Sequence, residues 1–222
     1  MKQFKIRCSA IGKIMANGRG KDSMGKTCTS YLEEWVKEQI YDRRKEFTSK
    51  HTQKGLICED DSIDYISKQM SLDGLIKNEE HFSDEFLTGT PDVITEDFII
   101  DVKNSYDAFT FPLFYSNLPN KDYYYQGQGY MHLTGINKFK LIYTLMDTPD
   151  NLIKREAYYF CNQNGVDLDE EIHEEFIRKM TYTGIDSKYR IKVFEFEKDQ
   201  EVVDSIIKRV EDCREYINQI KL

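Results

Sequence analysis

Two apolar runs, residues 86–95 and 98–105, dictate much of what this chain can fold into, because only Glu96-Asp97 separates them. Runs of this length, rich in β-branched and aromatic residues, predict two strands joined by a tight turn. In the register centred on that turn, Asp92 lies directly across from Asp101. Since cross-strand neighbours have Cβ atoms about 4.5–5.5 Å apart, the sequence predicts a hairpin that brings two carboxylates together.

A lysine shares one face of the predicted hairpin with this acid pair. Lys103 follows Asp101 by two residues, and alternate residues of a strand point to the same face. Two neighbouring carboxylates repel each other unless a proton or a cation lies between them. Oxygen ligands at this density favour a hard divalent ion such as Mg²⁺ or Mn²⁺. Asp92, Asp101 and Lys103 are therefore candidate residues of a metal-dependent site.

A third acid comes from the helix predicted over residues 52–70. At about 100° per residue, four apolar side chains share one face of that helix, and Glu59 falls inside their arc. These side chains are Leu56, Ile63, Ile66 and Met70. A carboxylate buried among apolar side chains is costly unless it has a partner. The periodicity thus favours Glu59, rather than Asp60 or Asp61, as a further ligand of the predicted metal.

A helix predicted over residues 122–133 carries the next candidates. Gln126 and Tyr130 are one helical turn apart and share a face. Gly127 and Gly129 weaken an isolated helix. We therefore expect these glycines where another backbone comes close, either that of the sheet or that of a nucleic-acid strand.

Helical and strand patterns alternate along the rest of the chain. Helices are predicted over residues 29–41, 168–180 and 200–220, and strands over residues 138–146, 155–162 and 189–196. This mixture predicts an α/β fold with a mixed central β-sheet flanked by α-helices. The 222 residues, 40% of them hydrophobic, are expected to form a single domain, residues 1–222, around one core.

Composition excludes several classes of protein. No apolar run reaches the ~18 residues that a membrane helix needs, and residues 1–15 lack the apolar core of a secretory signal. Five scattered cysteines without a CxxC pair disfavour a zinc or iron–sulfur site and fit reduced thiols in the cytoplasm. The net charge is −8, but residues 2–50 are locally basic. A nucleic-acid partner is therefore compatible with the acidic total.

Taken in order, four motifs resemble the PD-(D/E)xK nuclease superfamily. The motifs are Gly55-x-x-x-Glu59, Pro91-Asp92, Asp101-Val102-Lys103 and Gln126-x-x-x-Tyr130. Within the superfamily, residues 6–145 are most similar to the phage-type recombination exonucleases, the lambda exonuclease and YqaJ-like group. The run Arg7-Cys8-Ser9-Ala10-Ile11-Gly12 resembles the N-terminal serine motif of that group. The resemblance implies a restriction-endonuclease-like core.

It also implies metal-dependent hydrolysis of phosphodiester bonds. Glu59, Asp92, Asp101 and the Val102 backbone carbonyl would hold one or two Mg²⁺ ions, for which Mn²⁺ would substitute. The ions would activate a bound water and stabilise the leaving oxygen. Lys103 would orient that water or help to deprotonate it.

Phosphate or DNA binding is implied for four residues by the same resemblance. They are Arg7, Ser9, Gln126 and Tyr130. Gln126 would position Lys103 or the phosphate, and Tyr130 would support the helix. Ser9 and Arg7 would bind a phosphate near the cut, such as the terminal 5′-phosphate of the digested strand.

The implied activity is 5′-to-3′ digestion of linear double-stranded DNA. The group's ring-shaped trimers suggest a homo-oligomer around DNA, and a single-strand annealing protein is an expected partner. A phage-encoded enzyme of this kind would act in the cytoplasm of its bacterial host, and no membrane partner is expected.

Two alternatives remain open from the sequence. The first is a structure-specific or restriction-like endonuclease on the same fold. The second is a non-catalytic protein that binds DNA ends on a nuclease scaffold. Closed circular DNA separates exonuclease from endonuclease, because an exonuclease leaves circles intact.

Overall fold

The computed structural model of the protein describes residues 2–20, 23–45, 49–72 and 74–220. Its α-helices within these ranges are α1 (Ile11–Ile14), α2 (Lys26–Tyr41), α3 (Lys50–Ile57), α4 (Glu59–Met70), α5 (Lys121–Thr134), α6 (Asp150–Asn164), α7 (Glu170–Met180) and α8 (Gln200–Gln219). Its strands are β1 (Ile6–Arg7), β2 (Phe82–Ser83), β3 (Leu87–Gly89), β4 (Val93–Ile94), β5 (Ile99–Asn104), β6 (Lys138–Thr144) and β7 (Ile191–Glu197). Two 3-10 helices cover Cys8–Ala10 and Ser187–Tyr189.

A mixed sheet with the strand order β4–β5–β6–β7 lies at the centre of the fold. β5 and β6 run parallel, whereas β4 pairs antiparallel with β5 and β7 antiparallel with β6. A smaller sheet has the order β1–β3–β2. This architecture confirms the predicted α/β fold with a mixed sheet.

Successive side chains of the larger sheet point to opposite faces and contribute to two apolar clusters. Each face is therefore covered by helices. Ile99 and Leu141 point into the cluster that also contains side chains of α1, α2, α5 and α8. Ile100 and Ile142 point into a second cluster together with Ile63 of α4. Asp101 follows Ile99 by two residues on β5. Its side chain therefore lies on the same face of the sheet, which α5 covers.

The hairpin forms in the predicted register. Val93 pairs with Ile100 and Ile94 with Ile99, and the Thr95 N–H donates to the carbonyl of Phe98 at 3.0 Å. The predicted first strand, residues 86–95, is in fact interrupted. Its first part, β3, belongs to the smaller sheet and its last part, β4, to the larger one. Pro91 lies in the gap, and proline lacks the N–H that a continuous strand would use.

The helix predicted over residues 52–70 is divided into α3 and α4 at Cys58. The Cys58 backbone has φ −92° and ψ 5°, outside helical geometry. The apolar spacing used in the prediction does not detect a break of one residue. Its consequence is that Glu59 begins a helix instead of lying inside one.

The strand predicted over residues 155–162 is wrong, since these residues belong to the helix α6. The aromatic run Tyr158-Tyr159-Phe160 favoured a strand, but these three side chains are largely exposed. The buried side chains of α6 are Leu152, Ile153, Ala157 and Cys161, which have helical spacing. Packing on that apolar face outweighs the local strand propensity.

Helix α5 approaches the sheet closely at its glycines. A Cβ atom on Gly127 would lie 2.6 Å from the Phe196 ring and 2.9 Å from the Phe139 ring, and one on Gly129 would lie 2.6 Å from Ile11. The nearest neighbours of these glycines are therefore side chains of the sheet and of the N-terminal segment, and not the backbone that was expected. Among the described residues, no helix is both long and apolar enough to cross a membrane.

Candidate active site

The site is built around two carboxylates held by the β4–β5 hairpin. The register of this hairpin, continued by one pair, places Asp92 opposite Asp101. Asp92 Oδ2 accepts a hydrogen bond of 2.7 Å from the backbone N–H of Val102. Asp101 is 1% exposed. The predicted pairing of the two acids is therefore confirmed in the structure.

Lys103 lies beside this pair, as alternation along β5 predicts. Its Nζ is 2.6 Å from Asp101 Oδ2 and lies over the Tyr123 ring, 5.2 Å from the ring centre. Burial alone would lower the pKa of Lys103, but the carboxylates of Asp101 and Asp92 outweigh it and raise the pKa to about 12. The ammonium is therefore charged at neutral pH.

The two carboxylates resist ionising together. Burial, and then the neighbouring charge of Asp101, raise the pKa of Asp92 to about 7, while Lys103 opposes that rise. Burial also raises the pKa of Asp101, against the opposing effect of Lys103. A second positive charge at this place would relieve both carboxylates. A hard divalent cation would provide this charge, and it prefers the oxygen ligands that two carboxylates offer.

Glu59 departs from the prediction. Its side chain is 25% exposed, and its Oε1 atom lies 3.0 Å from Lys77 Nζ. Leu56, which helped to define the apolar arc, is 68% exposed and precedes the break at Cys58. The expectation that Glu59 is enclosed by apolar side chains is therefore wrong.

Glu59 is nevertheless close enough to raise the pKa values of both Asp92 and Asp101. Among the described residues, no three Asp, Glu, His or Cys side chains are grouped closely enough to hold a metal ion. The structure thus brings together two of the three predicted acids and leaves Glu59 beside them, paired with Lys77.

Gln126 and Tyr130 lie behind the acids instead of facing an open surface. Gln126, 6% exposed, donates from Nε2 to Asp101 Oδ1 at 2.7 Å and to the Tyr130 hydroxyl at 3.3 Å. The Tyr130 hydroxyl donates to the carbonyl of Thr90 at 3.2 Å. Gln126 and Tyr130 thus form an internal chain of hydrogen bonds that ends on Asp101. Its effect is to orient Asp101.

Arg7 and Ser9 are both exposed. Arg7 pairs with Thr88 in the smaller sheet, and Ser9 lies in the 3-10 helix that follows β1. Arg7 also lines a cleft of about 770 Å³ with Lys5, Trp35 and other residues of the N-terminal segment. Both side chains are accessible to solvent, and that of Arg7 also forms a hydrogen bond with Tyr31.

Two groups of residues near the site were not found by the sequence analysis. Lys77 lies between Glu59 and Asp60, and no local pattern marks it because its partners belong to a helix earlier in the chain. The second group is a buried network at the start of α4. Ser62 Oγ donates to the Cys58 carbonyl at 2.6 Å and contacts Asn104 Nδ2 at 2.6 Å.

This network fixes the start of α4 to the strand that carries Asp101 and Lys103. Thr144 Oγ1 of β6 also donates to Ser62 Oγ, at 3.1 Å. The one signal available in the sequence is that Ser62 is polar but lies on the apolar side of a helix, one position before Ile63. Such a residue needs buried hydrogen-bond partners.

The fold of this chain is similar to that of proteins of known structure. No family model matches the sequence. No curated protein matches it either. Among solved structures, the chain is similar to a phage-related exonuclease from Haemophilus somnus 129PT, with a TM-score of 0.79 and 26% identity over 98% of this chain and 95% of that one.

A second similar structure is an alkaline exonuclease from Laribacter hongkongensis. The TM-score is 0.64 with 14% identity, covering 96% of this chain and 88% of that one. The complex of that protein with dAMP gives a TM-score of 0.62, again at 14% identity and the same coverage. These structures confirm the predicted fold, and the similarity to the phage-related exonuclease confirms the predicted resemblance to phage-type exonucleases.

Proposed function

We propose that this chain is a metal-dependent DNA exonuclease that digests linear double-stranded DNA from the 5′ end. One observation carries the proposal. Asp92, Asp101 and Lys103 meet on one hairpin, in a fold shared along nearly its whole length with a phage-related exonuclease. Paired carboxylates beside a lysine suit hydrolysis of a phosphodiester by a metal-activated water.

Mg²⁺, or Mn²⁺ in its place, would be held by Asp92 and Asp101, with Glu59 and the Val102 carbonyl as further ligands, as one ion or two. When bound, such an ion polarises the scissile phosphate and lowers the pKa of a water molecule. The raised pKa values of Asp92 and Asp101 support this assignment, because a cation in addition to Lys103 would stabilise the charged forms of both carboxylates.

Each side chain at the site has its own task in this proposal. Lys103 remains protonated, so it orients the attacking water or a phosphate oxygen and does not remove a proton in the resting protein. Gln126 holds Asp101 through its 2.7 Å hydrogen bond, and Tyr130 holds Gln126. Both act by positioning the carboxylate.

DNA ends are the proposed substrate. The alkaline exonuclease of similar fold forms a complex with dAMP, which supports a nucleotide-binding role for the corresponding surface here. Arg7 and Ser9 are exposed and remain our candidates for binding a phosphate near the cut. A ring-shaped homo-oligomer, a single-strand annealing partner and a place in the bacterial host cytoplasm also belong to this proposal.

The test uses end-labelled linear duplex, with and without a 5′-phosphate, in Mg²⁺ and in EDTA. We expect digestion in Mg²⁺ only, starting at the 5′ end, and no cleavage of closed circular DNA. Asp101→Asn is expected to abolish digestion while leaving DNA binding largely intact, because the lost group acts on the metal and not on the duplex. Normal digestion by this variant would contradict the site assignment.

Cleavage of closed circles would favour the endonuclease instead. Binding of linear ends by the wild-type chain without any cleavage in Mg²⁺ or Mn²⁺ would favour the non-catalytic alternative.

A further inference from the structure

One lysine occupies the position between the two acids that begin α4. Lys77 Nζ lies 3.0 Å from Glu59 Oε1 and 2.8 Å from Asp60 Oδ1. The three side chains differ in exposure, since Glu59 is 25% exposed, Lys77 42% and Asp60 77%. Lys77 therefore contacts both the partly buried carboxylate of Glu59, which is close to Asp92 and Asp101, and the solvent-exposed carboxylate of Asp60.

The backbone holds Lys77 at this place. Lys77 forms an isolated antiparallel bridge with Val93, the residue that follows Asp92. The next residue, Asn78, donates its N–H to the Asp92 carbonyl at 2.8 Å and its side-chain Nδ2 to the Pro91 carbonyl at 2.9 Å. The segment that carries the lysine is thus attached to the segment that carries the acid.

We propose that Lys77 is a positioning residue that competes with the divalent ion for Glu59. It holds the Glu59 carboxylate in the metal-free protein and remains on Asp60 when Glu59 turns to the ion. This inference rests on the proposed function, because it takes the metal of that function as the competitor. Lys77 then raises the metal concentration at which the site fills.

The physical reason is that the carboxylate of Glu59 cannot keep the ammonium at 3.0 Å and coordinate a divalent ion without placing two cations side by side. Asp60 lowers the cost of the exchange, since Lys77 keeps one carboxylate partner after it leaves Glu59. Ion pairs of this exposure are weak. The expected change in metal affinity is therefore modest, about two- to fivefold.

The test is isothermal titration calorimetry with Mn²⁺ and the full chain, which measures binding without any DNA. Lys77→Met is expected to bind Mn²⁺ about two- to fivefold more tightly than the wild type. Asp60→Asn is expected to bind it more weakly, because among the described residues Glu59 is then the one carboxylate left to pair with Lys77. In the Lys77→Met background, Asp60→Asn is expected to have no further effect.

Two controls accompany these variants. Lys77→Arg keeps a cation between the two acids and is expected to behave like the wild type. Lys154→Met removes a lysine from another exposed ion pair, that with Asp150 on α6, and is expected to leave Mn²⁺ binding unchanged. Melting temperatures verify that each variant is folded.

The outcomes separate the inference from the function on which it rests. If the wild-type chain binds no Mn²⁺, the proposed metal site fails. If the wild type binds Mn²⁺ but Lys77→Met leaves the affinity unchanged or weaker, the inference is overturned. It is also overturned if Asp60→Asn weakens binding equally in both backgrounds, because that additivity indicates long-range charge and no exchange of partners.

Discussion

Gln126 connects helix α5 to the acid pair through its hydrogen bond with Asp101. Its position one turn before Tyr130 indicated a shared face, and in the structure that face is turned to Asp101. A glutamine amide that donates to a carboxylate oxygen leaves the other oxygen for a different partner. In this protein that other oxygen faces Lys103 at 2.6 Å.

Replacing Gln126 by methionine is expected to lower kcat by about 10- to 100-fold, since a hydrogen bond to a charged group contributes about 1.5–3 kcal/mol. The loss arises because Asp101 is no longer held in one orientation. Single-turnover digestion of linear duplex measures this effect.

Gln128→Met is the matched control for this variant. Gln128 is equally buried on the same helix, but it bonds to the Glu197 carbonyl and the Asp199 N–H, away from the acids. Both variants are expected to lose stability, and only the first to lose activity. If both variants lost activity equally, Gln126 would contribute only to the stability of the helix and not to the position of Asp101.

The raised pKa of Asp92 predicts a dependence of stability on pH in metal-free solution. The ordinary value of 3.8 applies to the unfolded chain, and the folded value is about 7. Between these values the folded state holds a proton that the unfolded state has released, so the contribution of Asp92 to stability falls as pH rises. It is fully present below 3.8 and lost above about 7.

Melting temperatures measured in EDTA across this pH window compare the wild type with Asp92→Asn. The asparagine does not titrate and still accepts from the Val102 N–H, so the decline with pH is expected to be shallower in the variant. Mn²⁺ is expected to restore the stability of the wild type at the upper end of the window. Parallel curves for the two proteins would contradict the assigned pKa.

Among the helices and strands, the hairpin and α5 decide where the site forms. The tight turn at Glu96-Asp97 sets the register of β4 on β5, and a shift by one residue would turn Asp101 to the other face. Helix α5 then places Gln126 on that face, and it does so only because the helix lies very close to the sheet. Gly127 makes that closeness possible.

Gly127→Ala is expected to destabilise the fold by about 1–3 kcal/mol through overpacking, or about 2–4 °C of melting temperature per kcal/mol in a chain of this size. The added methyl group would meet the rings of Phe196 and Phe139 at under 3 Å. Thermal unfolding measures the change.

Gly55→Ala is the contrasting variant on α3. Nothing lies within 4 Å of a Cβ atom at that position, and alanine is favoured over glycine inside a helix by about 1 kcal/mol. Its melting temperature is expected to rise. A rise for Gly127→Ala as well would mean that α5 does not depend on the close approach.

Over the chain as a whole, the two ends meet in one core. Phe4 and Ile6 share a buried cluster with Ile206 and Val210 of α8, and Arg214 of α8 donates to the Phe4 carbonyl at 3.0 Å. A core built from both termini supports the prediction of a single domain over residues 1–222.

That prediction has a direct test in the one tryptophan of the chain. Trp35 packs edge-on against Phe4, with ring centres 5.2 Å apart, so its fluorescence reports the N-terminal part of the core. Urea unfolding followed by this fluorescence and by far-UV circular dichroism is expected to give superimposable transitions. Two separate midpoints would show that part of the chain unfolds independently.

The amino-acid sequence determined the elements whose signals are local. The turn between two apolar runs fixed the register of Asp92 and Asp101, strand alternation placed Lys103, and helical spacing paired Gln126 with Tyr130. These properties follow from backbone periods of 2 and 3.6 residues, which are readable without knowledge of neighbours.

The tertiary structure alone decided the rest, because it depends on partners distant in the chain. Ser62, next to the break at Cys58, bonds to Asn104 and Thr144 of two strands, and Glu59 at the same helix start is 25% exposed. The pairing of Lys77 with Glu59 joins an irregular segment to a helix terminus. Local periodicity contains no information on such contacts, since their free energy is gained only when separate elements pack together.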